Sequence, residues 1–113
     1  MSAHGYHGEA PLGAFEEQVL LAVMRTGDAA YGMNVRQEIE AVTGREVAIG
    51  AVYATLDRLE EKALVRSARS RAEGKSRRTF AVTRAGAFAL ADTKLMRDRL
   101  WRGVDLQPLM AAV

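Results

Sequence analysis

At Leu64 the spacing of apolar residues changes from three or four to two, and beyond Val82 it changes back. Helical and strand periods cannot share one segment, so this switch marks a short strand region set among helices. Leu64–Arg71 and Arg77–Val82 read as strands. Between them, Ala72-Glu73-Gly74-Lys75-Ser76 supplies a turn that contains glycine, which makes the pair a hairpin.

Three helices precede the hairpin. Phe15, Val19, Ala22, Val23 and Thr26 recur at helical spacing, opposite Glu16, Glu17 and Gln18, and Gly27-Asp28 closes that run. Tyr31, Val35, Ile39 and Val42 then form one apolar stripe, with Asn34, Gln37, Glu38 and Ala41 facing elsewhere. Gly44 suits the left-handed position that ends a helix. After Arg45-Glu46-Val47-Ala48 a third helix runs to about Lys62. Ile49, Val52, Leu56, Leu59 and Ala63 project to one side, and Gly50, Ala51, Ala54, Asp57, Arg58 and Glu61 to the other, with Tyr53 and Thr55 on the borders.

Beyond the hairpin, Thr83 is placed to cap a long last helix that reaches about Gly103. Ala85, Phe88, Leu95, Met96, Leu100 and Trp101 give that helix its apolar content, and Pro108 is expected to end any helix near it. Residues 1–11 have no periodicity and read as a loose tail. The expected fold is mainly α with a small β hairpin. It is a winged helix-turn-helix over residues 12–83, followed by a dimerisation helix and tail over 84–113.

The bulk figures bound the function. A chain of 113 residues is one domain, with 49% hydrophobic and 27% charged residues, an ordinary soluble balance. No apolar run approaches the length needed to span a bilayer, and the start lacks the pattern of a secretion signal. The absence of Cys excludes disulfides, thiolate metal sites and a cysteine nucleophile, and it fits a cytoplasmic location. His4 and His7 have a spacing that can hold a metal, but no Cys and no third His exists to complete a ligand set. No phosphate loop, nucleophile elbow or metal motif is present, and the adjacent pairs Glu16-Glu17 and Glu60-Glu61 point to different sides of a helix. They read as solvated positions. No enzyme, cofactor or metal is expected.

Charge is informative through its placement. Arg66, Arg69, Arg71, Lys75, Arg77 and Arg78 face one acid, Glu73, so residues 66–78 carry +5 in a chain of net charge +2; the remainder carries −3. A positive field gathered in one hairpin is what steering towards a polyanion requires. A helix-turn-helix lays its later helix in the major groove, and a wing reaches the backbone or the minor groove. Gly50, Ala51 and Ala54 allow close approach to DNA, Tyr53 and Thr55 can bond base or phosphate, and Arg58 follows one turn later. Small residues are also good helix formers on a solvated surface, and a basic loop can be a solvated one. The candidate DNA-contacting set is Gly50, Ala51, Tyr53, Ala54, Thr55 and Arg58, with Arg69, Arg71, Lys75, Ser76, Arg77 and Arg78 of the wing and Tyr31 of the first helix of the motif. A winged-helix module that binds protein instead of DNA is the competing reading.

These residues resemble a known family. The stretch from Leu12 through AYG at 30–32 and GREVAIGAVYATLDRLEEKALV at 44–65, then RRTFAVTRAG at 77–86, is similar to the PadR family of bacterial winged-helix regulators. The resemblance spans about Leu12 to Leu100. It implies repression of transcription by a homodimer in which the C-terminal helix packs against the partner's N-terminal helix, and in some members release from DNA by a small aromatic molecule. By position it puts Tyr53, Ala54 and Thr55 in the recognition helix and Arg69, Lys75, Arg77 and Arg78 in the wing. Ala54 stands where the family often has Pro, and the short C-terminal region matches the family's shorter branch.

Phe88, Leu95, Met96, Leu100 and Trp101 exceed what a three-helix core of this size can bury, so a second subunit is expected to cover them. Phe15 and Val19 complete the candidate interface. The alternative is a last helix that folds back on its own domain. Two-fold symmetry would match a near-palindromic DNA site. Trp101 is either an interface core residue or a contact for a small planar effector.

Overall fold

The computed structural model describes residues 11–72 and 74–111. Helices α1 (Ala14–Thr26), α2 (Gly32–Thr43) and α3 (Ile49–Glu61) come first, with a single 3-10 turn at Gly27–Ala29. Strands β1 (Val65–Ala72) and β2 (Lys75–Val82) follow, then α4 (Arg84–Trp101) and a short α5 (Gln107–Met110). This is a winged helix-turn-helix with a long C-terminal helix, the fold class the sequence implies.

The core gathers one stripe from each of the first three helices. Val19, Leu20 and Val23 of α1, Val35 and Ile39 of α2, and Val52, Leu56 and Leu59 of α3 are buried together with Leu64, Val65 and Phe80 of the hairpin and Ala89 and Leu90 of α4. Gly44 ends α2 at φ 72°, the left-handed conformation that its lack of a Cβ permits. Thr83 caps α4, its hydroxyl oxygen accepting the Gly86 N–H at 3.0 Å.

Four details differ from the sequence reading. Ala72 pairs directly with Lys75, so the strands run further and the turn is shorter than five residues. Val42 leaves its stripe and stands exposed, lining an open hollow between α1 and α2 with Leu21, Met24 and Ile39. Ala63 is exposed and has turned out of α3 with φ 62°. Pro108 begins a helix instead of ending one: it lies in the first turn of α5, where a missing N–H costs nothing. Residues 1–10, with His4 and His7, lie outside the described residues.

After Thr93 the last helix leaves the core, and Lys94 to Trp101 are exposed throughout. Two contacts fix its direction. The Leu12 N–H donates to the buried Thr93 hydroxyl at 3.2 Å, and Arg97 pairs with Glu17. Glu16 is likewise engaged, accepting the Gly13 N–H and the Lys62 ammonium, each at 3.0 Å. Neither acid is the merely solvated position the sequence suggested.

Candidate nucleic-acid interface

The wing is bound to the helices along two lines. On one edge of β2 the Phe80 N–H donates to the Ala30 carbonyl at 2.8 Å, and Tyr31 bridges to Thr79 as a one-residue third strand. On the other side, α3 reaches both strands through Glu60. One carboxylate oxygen accepts the Ser67 hydroxyl (2.7 Å) and N–H (3.2 Å), and the other accepts Arg78 at 2.5 Å. Asp57, one turn earlier, accepts the other terminal nitrogen of Arg78 at 3.0 Å. The Ser67 hydroxyl, and then the Arg78 guanidinium, hold the Glu60 carboxyl below the ordinary 4.5.

Strand alternation sorts the wing cations. Val65, Ser67, Arg69 and Arg71 share a face with their partners Ser76, Arg78, Phe80 and Val82, while Arg66 and Arg77 point the other way. Arg78 lies over the Phe80 ring (4.7 Å) and towards α3. Arg77 stacks on Tyr31 at 4.3 Å. Among the described residues no carboxylate pairs with Arg66, Arg69, Arg71 or Arg77. The Lys75 side chain lies outside what the structure describes.

On α3, Gly50, Ala51, Tyr53, Ala54, Asp57 and Arg58 are exposed. Thr55 is not, and this corrects its placement on the outer border: at 2% exposure it belongs to the core, its hydroxyl accepting Arg58 at 3.1 Å. Arg58 therefore folds back towards Thr55. Against partial burial, which pushes it up, the Glu16 carboxyl is held below the ordinary 4.5 by the Gly13 N–H and then Lys62, with the charge of Arg58 the smallest contribution. Tyr53 rests on Gly32, where a Cβ would lie 2.2 Å from Cζ of the ring. The missing side chain there leaves room for the end of the phenol at the start of α2.

Tyr53, Tyr31, Arg69, Ser76, Arg77 and Arg78 thus line one open groove of about 650 Å³ between α2, α3 and the wing. Met33, Asn34 and Gln37 of α2 line it too, outside the set expected from the sequence. Their i, i+1 and i+4 positions directly after Tyr31 were the available signal. The groove joins aromatic faces, amide groups and guanidinium groups on one concave surface, the inventory suited to bases and phosphates.

Of the candidate interface residues, Val19 is fully buried in the core and is withdrawn from it. Phe15 and Phe88 are half-buried, and Phe15 packs against the core. Leu95, Met96, Leu100 and Trp101 are exposed, Leu100 by 70% and Trp101 by 57%. Trp101 lines a shallow hollow of about 200 Å³ with Leu100, Val104 and Leu106. No helix among the described residues is long and apolar enough to cross a membrane.

Residues 20–92 match the model of the transcriptional regulator PadR-like family. Among solved structures the chain is similar to RosR of H. salinarum, with 26% identity over 88% of this chain and 86% of that one and a TM-score of 0.64. The complex hsRosR-S1 gives 28% identity over 82% and 79% of the two chains, again with a TM-score of 0.64. A PadR family transcriptional regulator from Eggerthella lenta gives 22% identity over 84% and 82%, with a TM-score of 0.63, a likeness of fold alone. A comparison with curated proteins gives no match.

Proposed function

Since the chain belongs to the PadR-like family of transcriptional regulators, which are not enzymes, we propose that it acts as a homodimer on a near-palindromic DNA site. The exposed face of α3 enters the major groove and the wing lies on the flanking backbone. Residues 12–83 form the DNA-binding unit and 84–113 the dimerisation helix and tail. The reading places the protein in the cytoplasm as a repressor.

The groove carries this reading. It brings Tyr53 of α3 together with Arg69 and Arg77 of the wing, cations to which no described carboxylate is bound. Gly50, Ala51 and Ala54 leave the start of α3 low enough for close approach; a Cβ on Gly50 would meet nothing within 4 Å. The dimer reading rests on the apolar residues that α4 leaves exposed. Leu95, Met96, Leu100 and Trp101 there, with Leu21 and Met24 of α1, are the surfaces a second copy would cover. The hollow beside Trp101 is where a planar aromatic effector would sit between subunits.

Footprinting on the DNA upstream of the protein's own gene tests the function. Two protected patches about one helical turn apart are expected. Protection of a single isolated patch would remove the symmetric-dimer reading. Quenching of Trp101 fluorescence by planar aromatic compounds tests the effector, and flat titrations across a diverse panel would remove it.

A further inference from the structure

Arg77 and Arg78 are adjacent cations of one strand and both line the groove, yet their partners differ. Arg77 stacks on the Tyr31 ring, and no described carboxylate pairs with it. Arg78 projects from the other face of the strand, where its guanidinium lies over the Phe80 ring and grips two carboxylates of α3 at once, Asp57 at 3.0 Å and Glu60 at 2.5 Å. Asp57 follows Tyr53 by four residues and Ala54 by three, so it shares their exposed face, and its side chain is 56% exposed. A bare carboxylate there would stand against the phosphates that flank a bound major groove. Four hydrogen bonds, two from Ser67 and two from Arg78, join the acids of this helix to the two strands, across 7 to 21 residues of sequence.

We propose that Arg78 is a positioning residue and not a phosphate contact: it fastens the wing to the recognition helix and offsets part of the charge of the Asp57 and Glu60 carboxylates beside the DNA. The assignment rests on the DNA-interface reading above and deepens it. A forked guanidinium can hold two carboxylates where an ammonium holds one point, which suits Arg to the task. Because its charge is already matched, binding of DNA releases no counterion on its account. The acids, in turn, repel DNA more strongly when Arg78 is gone.

A double-mutant cycle tests this on the full chain, read by anisotropy with a labelled duplex of mixed sequence across a salt series. Asp57→Asn alone is expected to change affinity less than about twofold. In an Arg78→Ala background the same change should raise affinity about fivefold, a coupling of the size seen for residues that share an ion pair. Arg78→Ala should lower affinity with the salt slope unchanged, whereas Arg77→Ala should reduce the slope by about two per dimer. The proposal is overturned if Asp57→Asn acts equally in both backgrounds, or if Arg78→Ala reduces the slope as Arg77→Ala does. If Arg77→Ala leaves affinity and slope untouched, the groove itself is not the DNA face, and the proposal falls with that reading. Arg78→Gln, which removes the charge but keeps a longer side chain than alanine, runs the same cycle should the alanine variant fail to fold.

Discussion

Gly32 and Tyr53 meet so closely that each determines what the other position can hold. A methyl group on residue 32 would overlap the phenol ring at 2.2 Å, so the ring or the first turn of α2 has to move. Gly32→Ala is expected to change stability in urea unfolding by less than about 1 kcal/mol, because the atoms it meets are the far end of an exposed side chain that can swing aside. It should weaken DNA binding instead, because Tyr53 is displaced from the groove, and adding Tyr53→Ala should lower the affinity little further. The sequence showed both residues as parts of motifs, but their mutual contact joins helices 21 residues apart and has no local signature. The same limit explains Thr55 and Arg78. Thr55 sits on a helix border where a few degrees of rotation choose between core and solvent. Arg77 and Arg78 are equally basic in sequence, and only the docking of the sheet against α3 decides which one meets the acids.

At the scale of elements, the end of α3 is the most instructive. The Leu64 N–H donates to the Leu59 carbonyl and the Ala63 N–H to the Glu60 carbonyl, each at 2.9 Å. This pairing closes a helix with a left-handed residue, here Ala63 at φ 62°, and it buries Leu64 beside Leu59. An alanine in that conformation carries strain that a glycine lacks. Ala63→Gly should therefore stabilise the domain by about 0.5–1 kcal/mol in thermal or urea unfolding, reduced by the greater freedom of glycine in the unfolded chain.

The wing's attachment has a pH signature. The Glu60 carboxyl lies below 4.5 in the folded state, so the stability it contributes is present above that value and is lost as pH falls through the lowered one. The thermal midpoint of the parent should drop more steeply below about pH 4.5 than that of Glu60→Gln; parallel curves would mean that Glu60 contributes nothing to the attachment. Element types and their order were legible from apolar periodicity and from the Gly44 and Thr83 caps. The turn between strands was not, since the basic residues of the wing carry no alternating apolar pattern near its tip. Pro108 starts α5 for a simple reason: proline ends a helix it would interrupt but suits the first turn of a new one.

The molecule as a whole is shaped by a helix that outruns its core. The 18 residues of α4 extend about 27 Å, and only its first half packs on the domain. That surplus of apolar residues was readable from composition and spacing alone. Its continuation through Val104, Leu106, Leu109 and Met110, all exposed, was not, because no regular period marks that stretch. Nor was the burial of Val19, since α1 has apolar residues on more than one side and only packing decides which face is inward. Leu100→Glu is expected to convert the proposed dimer to a folded monomer in sedimentation analysis, with the circular dichroism spectrum retained. In the proposed dimer two half-sites act together, so DNA affinity should fall steeply in the same variant.

The central claim, that the groove between α3 and the wing holds DNA, is tested most directly by the salt dependence of binding to a duplex. With about eight phosphate contacts per dimer the logarithm of the association constant should fall with the logarithm of salt at a slope near −7, and by several units less steeply once Arg69 and Arg77 are both Ala. A slope near zero, or one unchanged in that double variant, would contradict the account.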